Sequence, residues 1–201
     1  MKQFLSTSIC ALALAFATAA HSGVVVDSGP GRSGALSLDS SQWLAQQFTL
    51  NNAYSVSSVQ GWMGAYVPGL VTLVVYTDQS SSPGVELFSS VFSVQDRLNS
   101  WNGVQDMSLQ LNAGTYWAAF EVGDIDGMRG YMGGDALYQV GSFAYGHGNS
   151  WATQSNQGLG LRVEGDAFVV PVAPTVNLVL IGLLAVFVVV RPKVVFRARD
   201  V

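Results

Sequence analysis

The chain of 201 residues is short of the side chains that most enzyme chemistry uses. It has one cysteine, Cys10, and two histidines, His21 and His147. Charged residues make up 11% of it, against ~25% in ordinary soluble domains. Each shortage excludes something. A lone thiol inside an apolar leader leaves no disulfide, zinc-thiolate site or catalytic cysteine. With His147 as the one useful imidazole, a transition-metal site has too few ligands. A Ser-His-Asp triad would have to use His147, which stands in "YGHGNSW" without a G-x-S-x-G element. It reads as a loop histidine without a catalytic role. Basic residues are scarce in the middle, where Arg32, Arg97, Arg129 and Arg162 face twelve carboxylates between Asp27 and Asp166. An acidic middle does not suit nucleic acid, which needs a basic face. It serves solubility.

What the chain does have begins with its two ends. The start, "MKQFLSTSICALALAFATAAHS", places Lys2 before a largely apolar stretch over residues 4–16. Ala17 and Ala19 then put small residues at the −3 and −1 positions of a cleavage site, with cleavage after Ala20 as the alternative. This is the pattern of a Sec-type signal peptide over residues 1–19.

At the other end, residues 167–190 contain no ionisable side chain. A helix of about 20 residues crosses a bilayer core. Pro171 and Pro174 break the first part, so the predicted transmembrane helix starts near Thr175 and is short. Arg191, Lys193, Arg197 and Arg199 follow it as a basic tail. The positive-inside bias keeps such a tail in the cytoplasm while the middle is exported.

The middle, residues 20–166, has no fixed-period repeat. Short β-branched or aromatic runs alternate with Gly/Ser/Asn/Asp clusters, the signature of an all-β domain. Strands are predicted over residues 43–50, 54–64, 70–78, 85–94, 104–111, 115–122 and 159–165. Period two places Tyr116, Ala118, Phe120 and Val122 on one face, and Met107, Leu109 and Leu111 on another shared face. The predicted fold is a two-sheet antiparallel sandwich of jelly-roll type. About 145 residues suffice for one core.

Two resemblances follow from these residues. Pro171-Val172-Ala173-Pro174, the apolar run containing Gly182, and Arg191 with the basic residues after it resemble the PEP-CTERM sorting signal of Gram-negative bacteria. Here Val172-Ala173-Pro174 stands where that signal has Pro-Glu-Pro, and no LPxTG motif is present. The resemblance implies a membrane-anchored precursor, processed by an exosortase-like enzyme and then sorted to the cell surface or extracellular matrix. "QFTL", "VYTD…SPG", "L-x-AGTYW" and "RVEG", in that order, are similar to the choice-of-anchor ectodomains that often precede such signals. This implies a surface-anchored β-sandwich and brings no catalytic residues, so the protein is expected not to be an enzyme.

Three candidate sites remain. Asp124-Ile125-Asp126-Gly127 has carboxylates two apart and a turn glycine, as in part of a calcium loop, with Glu121 and Asp135 as further ligands. Turn chemistry alone accounts for the same residues. Paired carboxylates of a glycosidase have no separation fixed by sequence. Trp101, Tyr131, Tyr138, Tyr145 and Trp151 lie in Gly/Asn/Ser-rich, loop-like surroundings. They are read as caps on the ends of the core; the alternative is a flat surface for extracellular polysaccharide, as in a carbohydrate-binding module.

Overall fold

The computed structural model describes residues 23–168 other than 139, 149 and 156. The expected signal peptide, with Ala17, Ala19 and Ala20, lies outside those residues. So do the expected sorting residues from Pro171 to Arg199 and the transmembrane helix between them. Among the described residues there is no helix. The strands are β1 (Gly23–Asp27), β2 (Gly31–Leu38), β3 (Trp43–Leu50), β4 (Tyr54–Val67), β5 (Gly69–Asp78) and β6 (Pro83–Val94). They continue as β7 (Ser100–Val104), β8 (Leu109–Leu111), β9 (Gly114–Glu121), β10 (Arg129–Ala136), β11 (Phe143–His147), β12 (Ser150–Gln154) and β13 (Leu161–Ala167). The expectation of an all-β domain with two antiparallel sheets is met.

One sheet has six strands in the order β12-β11-β3-β9-β5-β6. The other has seven and is built around β4. One edge of β4 pairs with β13 and then with β10; the other pairs with β8 and then with β7. β1 lies outside β13, and β2 outside β10. From β3 to β13 the chain passes back and forth between the sheets.

Alternation explains the core. In β3, Leu44, Phe48 and Leu50 point inward and are almost wholly buried. Val71, Leu73 and Val75 of β5 and Ala118 and Phe120 of β9 meet them from the same sheet, and Val56, Val59, Met63 and Val163 from the opposite one. Each fully buried side chain of this size contributes roughly 1.5–3 kcal/mol. Gly61 leaves room at the centre for core side chains: a Cβ there would sit 2.7–2.8 Å from the ends of Met132, Met63 and Phe120 and would force them to shift. Two buried polar side chains tie the last strand into place. Ser28 Oγ donates to Leu159 O (2.8 Å) and accepts from Leu161 N (2.7 Å). Gln46 Oε1 accepts from Leu159 N (2.6 Å), and its Nε2 donates to Ser142 O (3.0 Å). Buried polar groups are tolerated when their partners are in place, as here.

Several predicted elements change on inspection. The strand expected over residues 104–111 is two strands, β7 and β8, parted where Asp106 takes a left-handed φ of 57°. Met107, Leu109 and Leu111 still all face the core, as expected. Tyr116, Ala118, Phe120 and Val122 do so too. β1, β2, β10, β11 and β12 were not anticipated. The stretch offered as part of a calcium loop, from Glu121 to Asp135, starts at the end of β9 and finishes in β10, and the "YGHGNSW" stretch belongs to the β11–β12 hairpin.

Candidate functional site

The outer face of the six-stranded sheet is unusual because its centre is also buried. The register sets Ala45 opposite both Ala144 and Ala119, and Val74 opposite Ala119. These four small residues make a row across four strands, and all are nearly inaccessible. On one side of the row Gly146 lies opposite Trp43 and Trp151. On the other, Trp117 lies opposite Gln47 and Tyr76. Gly146 is needed because a Cβ there would overlap Ser150 O and stand 3.0 Å from the Trp151 ring. Tyr76 and Trp151 pack on the row, with ring centroids 6.4 Å apart in an edge-to-face arrangement. Trp43 stands 6.4 Å from Trp151 and 5.2 Å from His147, and its Nε1 donates to Val122 O (2.8 Å).

Two carboxylates of this face are held by the same aromatic rings. Asp78 Oδ1 accepts from Trp117 Nε1 (2.7 Å) and from Gln47 Nε2 (2.8 Å). Burial pushes the Asp78 carboxyl up, but hydrogen bonds from Trp117, Gln47 and the Ser81 amide outweigh it and leave it below its ordinary value. Glu121 Oε1 accepts from the Tyr76 hydroxyl (2.7 Å). Burial holds Glu121 above the ordinary carboxylate range, against the hydrogen bond from Tyr76 and with help from the charge on Glu86. The same burial, together with Glu121, raises the Tyr76 hydroxyl.

The outer face of the seven-stranded sheet carries two ring pairs along β4. Trp62 and Trp101 meet edge-on at 5.3 Å, and Tyr66 and Tyr131 lie at 4.9 Å. The Arg162 guanidinium sits 4.4 Å from the Trp101 ring centroid and bridges to Asp27 at 3.0 Å. The Tyr131 hydroxyl donates to Arg97 O (3.2 Å).

On the side of the sandwich where β2 and β12 end their sheets, two adjoining hollows share Gln42 and Tyr145. The first, of about 210 Å³, has an apolar floor of Leu36, Leu44 and Phe143 and a rim of Gln42, Gln154 and Gln157. The second, of about 320 Å³, is lined by Ser41, Gly146, His147, Ser150 and Ala152. Gln42 is held in place by its Nε2 donating to Ser37 O (2.7 Å).

The sequence-derived candidates therefore separate. Trp101 and Tyr131 lie on one outer face, Trp151 on the opposite one, and Tyr145 in the groove between the sheet edges. Four of the five are in strands, which corrects their reading as loop residues; Tyr138, 66% exposed, lies between β10 and β11. They do not form one plane. Nor do the four acids converge. Glu121 is engaged by Tyr76, Asp124 and Asp126 are exposed in the β9–β10 connection, and Asp135 is on β10 in the other sheet. Among the described residues no three His, Cys, Asp or Glu side chains form a group able to hold a metal. Sequence reasoning missed Trp43, Tyr76 and Trp117, and the glutamines of the groove. The signal for Trp43 and Trp117 was present: "WLAQQF" and "YWAAF" place large residues on both faces of one strand. No protein-family model matches the chain, and no curated protein sequence matches it.

Proposed function

We propose that this is an exported, envelope-anchored or exopolysaccharide-matrix-associated surface protein of a Gram-negative bacterium, whose sandwich is displayed rather than catalytic. The observation that carries this reading is the uncharged run of residues 167–190 followed by Arg191, Lys193, Arg197 and Arg199. Its partners would be the membrane and an exosortase-like processing enzyme. The precursor would be anchored in the inner membrane, and the product would reach the cell surface or the matrix. The passage of the chain between the sheets supports the finer assignment of a jelly-roll-like fold. The carboxylates support the non-enzymatic side. Asp27 is taken up by Arg162 and the Gly29 amide, Asp78 by Trp117 and Gln47, and Asp39 by Ser41. These are structural attachments.

The test is intact mass with terminal peptide mapping of the protein from native envelopes and culture fluid. Loss of the chain beyond about Pro174, together with loss of residues 1–19 or 1–20, is the expected result. A tail intact through Val201 would mean a plain single-span anchor and would remove the sorting step. A second reading, a carbohydrate-binding module, is favoured by the polar groove beside Tyr145.

A further inference from the structure

We infer that the groove between β2 and the β11–β12 hairpin binds an uncharged saccharide, seated on the ring of Tyr145. This rests on the carbohydrate-binding reading and gives it a place and a chemistry. Among the described residues that line the two hollows there is no Asp, Glu, Lys or Arg. The polar groups are the amides of Gln42, Gln154 and Gln157, the hydroxyls of Ser41, Ser150 and Tyr145, and the His147 imidazole in the second hollow. Each amide or hydroxyl side chain can both donate and accept. That matches sugar hydroxyls, which also do both, and the groove offers no ammonium or guanidinium to an anionic ligand. The apolar surface that the C–H face of a pyranose ring needs is offered by the Tyr145 ring and the half-buried Leu36. Phe143 and Leu44 are buried core residues that back the groove from behind. Tyr145 is 38% exposed, with its ring centroid 6.3 Å from that of Phe143, so one flat ring is both anchored and open to a ligand.

An aromatic seat combined with amide donors fits a neutral hexose unit at a chain end or branch. A peptide would need the unpaired edge of β12, and the side chains that line the groove are no help to that.

The experiment uses the full chain in a detergent without a sugar headgroup. Gluco-, galacto- and mannotetraose are the neutral probes, tetragalacturonate is the acidic one, and a library of short peptides is added, all read by saturation-transfer NMR. At least one neutral tetrasaccharide should bind. Tyr145→Ala should weaken it about tenfold, the equivalent of ~1.4 kcal/mol. Gln154→Ala, at an exposed site, should weaken it about threefold without disturbing the fold. Trp101→Ala, on the outer face of the seven-stranded sheet, should change nothing. Binding that survives both groove variants but fails in Trp101→Ala would overturn this site while leaving the saccharide reading intact. Binding of tetragalacturonate alone would overturn the neutral class. No saccharide bound, with or without peptide binding, would overturn both the site and the reading it rests on.

Discussion

On the outside of the six-stranded sheet Trp117 is fully buried, whereas on the outside of the seven-stranded sheet Tyr66 keeps 61% of its surface exposed. Both faces are rich in aromatic rings, and both obey the same period of two. The difference lies in what runs beneath the rings. In the six-stranded sheet the row Ala144, Ala45, Ala119 and Val74 gives a floor of methyl groups, on which Tyr76 and Trp151 pack. The result is a second apolar cluster outside the main core. In the seven-stranded sheet Trp62 lies beside Gly133 and Gly160, where an added Cβ would come within 3.1 and 2.5 Å of it. There the rings pair with one another, and Trp101 also carries the Arg162 guanidinium. A ring over alanine gains contacts that a ring beside glycine does not.

Removing the ring at the heart of the second cluster should break the comparison most sharply. Trp117→Ala deletes a fully buried indole and frees Asp78 from its main donor. The expected loss is about 3–5 kcal/mol in urea unfolding. Trp101→Ala in the opposite sheet should cost far less. Equal losses would show that the two faces do not differ energetically. Next comes Trp151→Ala. Its ring is only partly buried, so the loss should be smaller, about 1–2 kcal/mol at ~25 cal/mol per Å². The same urea titration would measure it, and a loss below about 0.5 kcal/mol would mean that Tyr76 covers the alanine row alone.

Arg162 tests the seven-stranded face. Arg162→Met removes a cation–π contact and a salt bridge whose partners keep 29% and 32% of their side-chain surface exposed. At such exposure these contacts are expected to contribute about 1 kcal/mol or less together. Methionine keeps the stem packed against Trp101. Thermal unfolding should shift by only a few degrees, roughly 2–4 °C per kcal/mol for a chain of this size. Raised salt should shrink the difference further.

The sequence made some of this legible and hid the rest for identifiable reasons. β3 is read from "WLAQQFTL" with both bounds correct, because alternation and flanking turn residues agree there. β9 is nearly as clear. β10, "RGYMGGDA", was hidden by its glycines and acid, which argue for a loop. The structure shows the use of one of them: Gly130 lies close to Gly64 O, where a Cβ would clash with backbone. The β11–β12 hairpin was hidden likewise by Gly146 and Gly148. The groove could not be read at all. Leu36, Gln42, Tyr145 and Gln157 come from distant parts of the chain, and only the pairing of β11 with β3 brings Tyr145 opposite Leu44.

The smallest effect separates the two carboxylates of the buried face. Glu121 is held above its ordinary range by burial, so the folded protein binds its proton more tightly than the unfolded chain does. By linkage its contribution is fully present below the unfolded carboxylate value, about 4.3, and is lost as pH rises through the folded value. Asp78 has the opposite sign, since its depressed value stabilises the fold above the ordinary range. Glu121→Gln keeps an acceptor for the Tyr76 hydroxyl and removes the charge. Its Tm should match the parent's near pH 3 and lie slightly above it at pH 7. A Tm below the parent's at pH 7, with the gap closing on acidification, would show that the Tyr76–Glu121 contact needs the full carboxylate charge. It would also show that this face is held by charge as much as by its alanine floor.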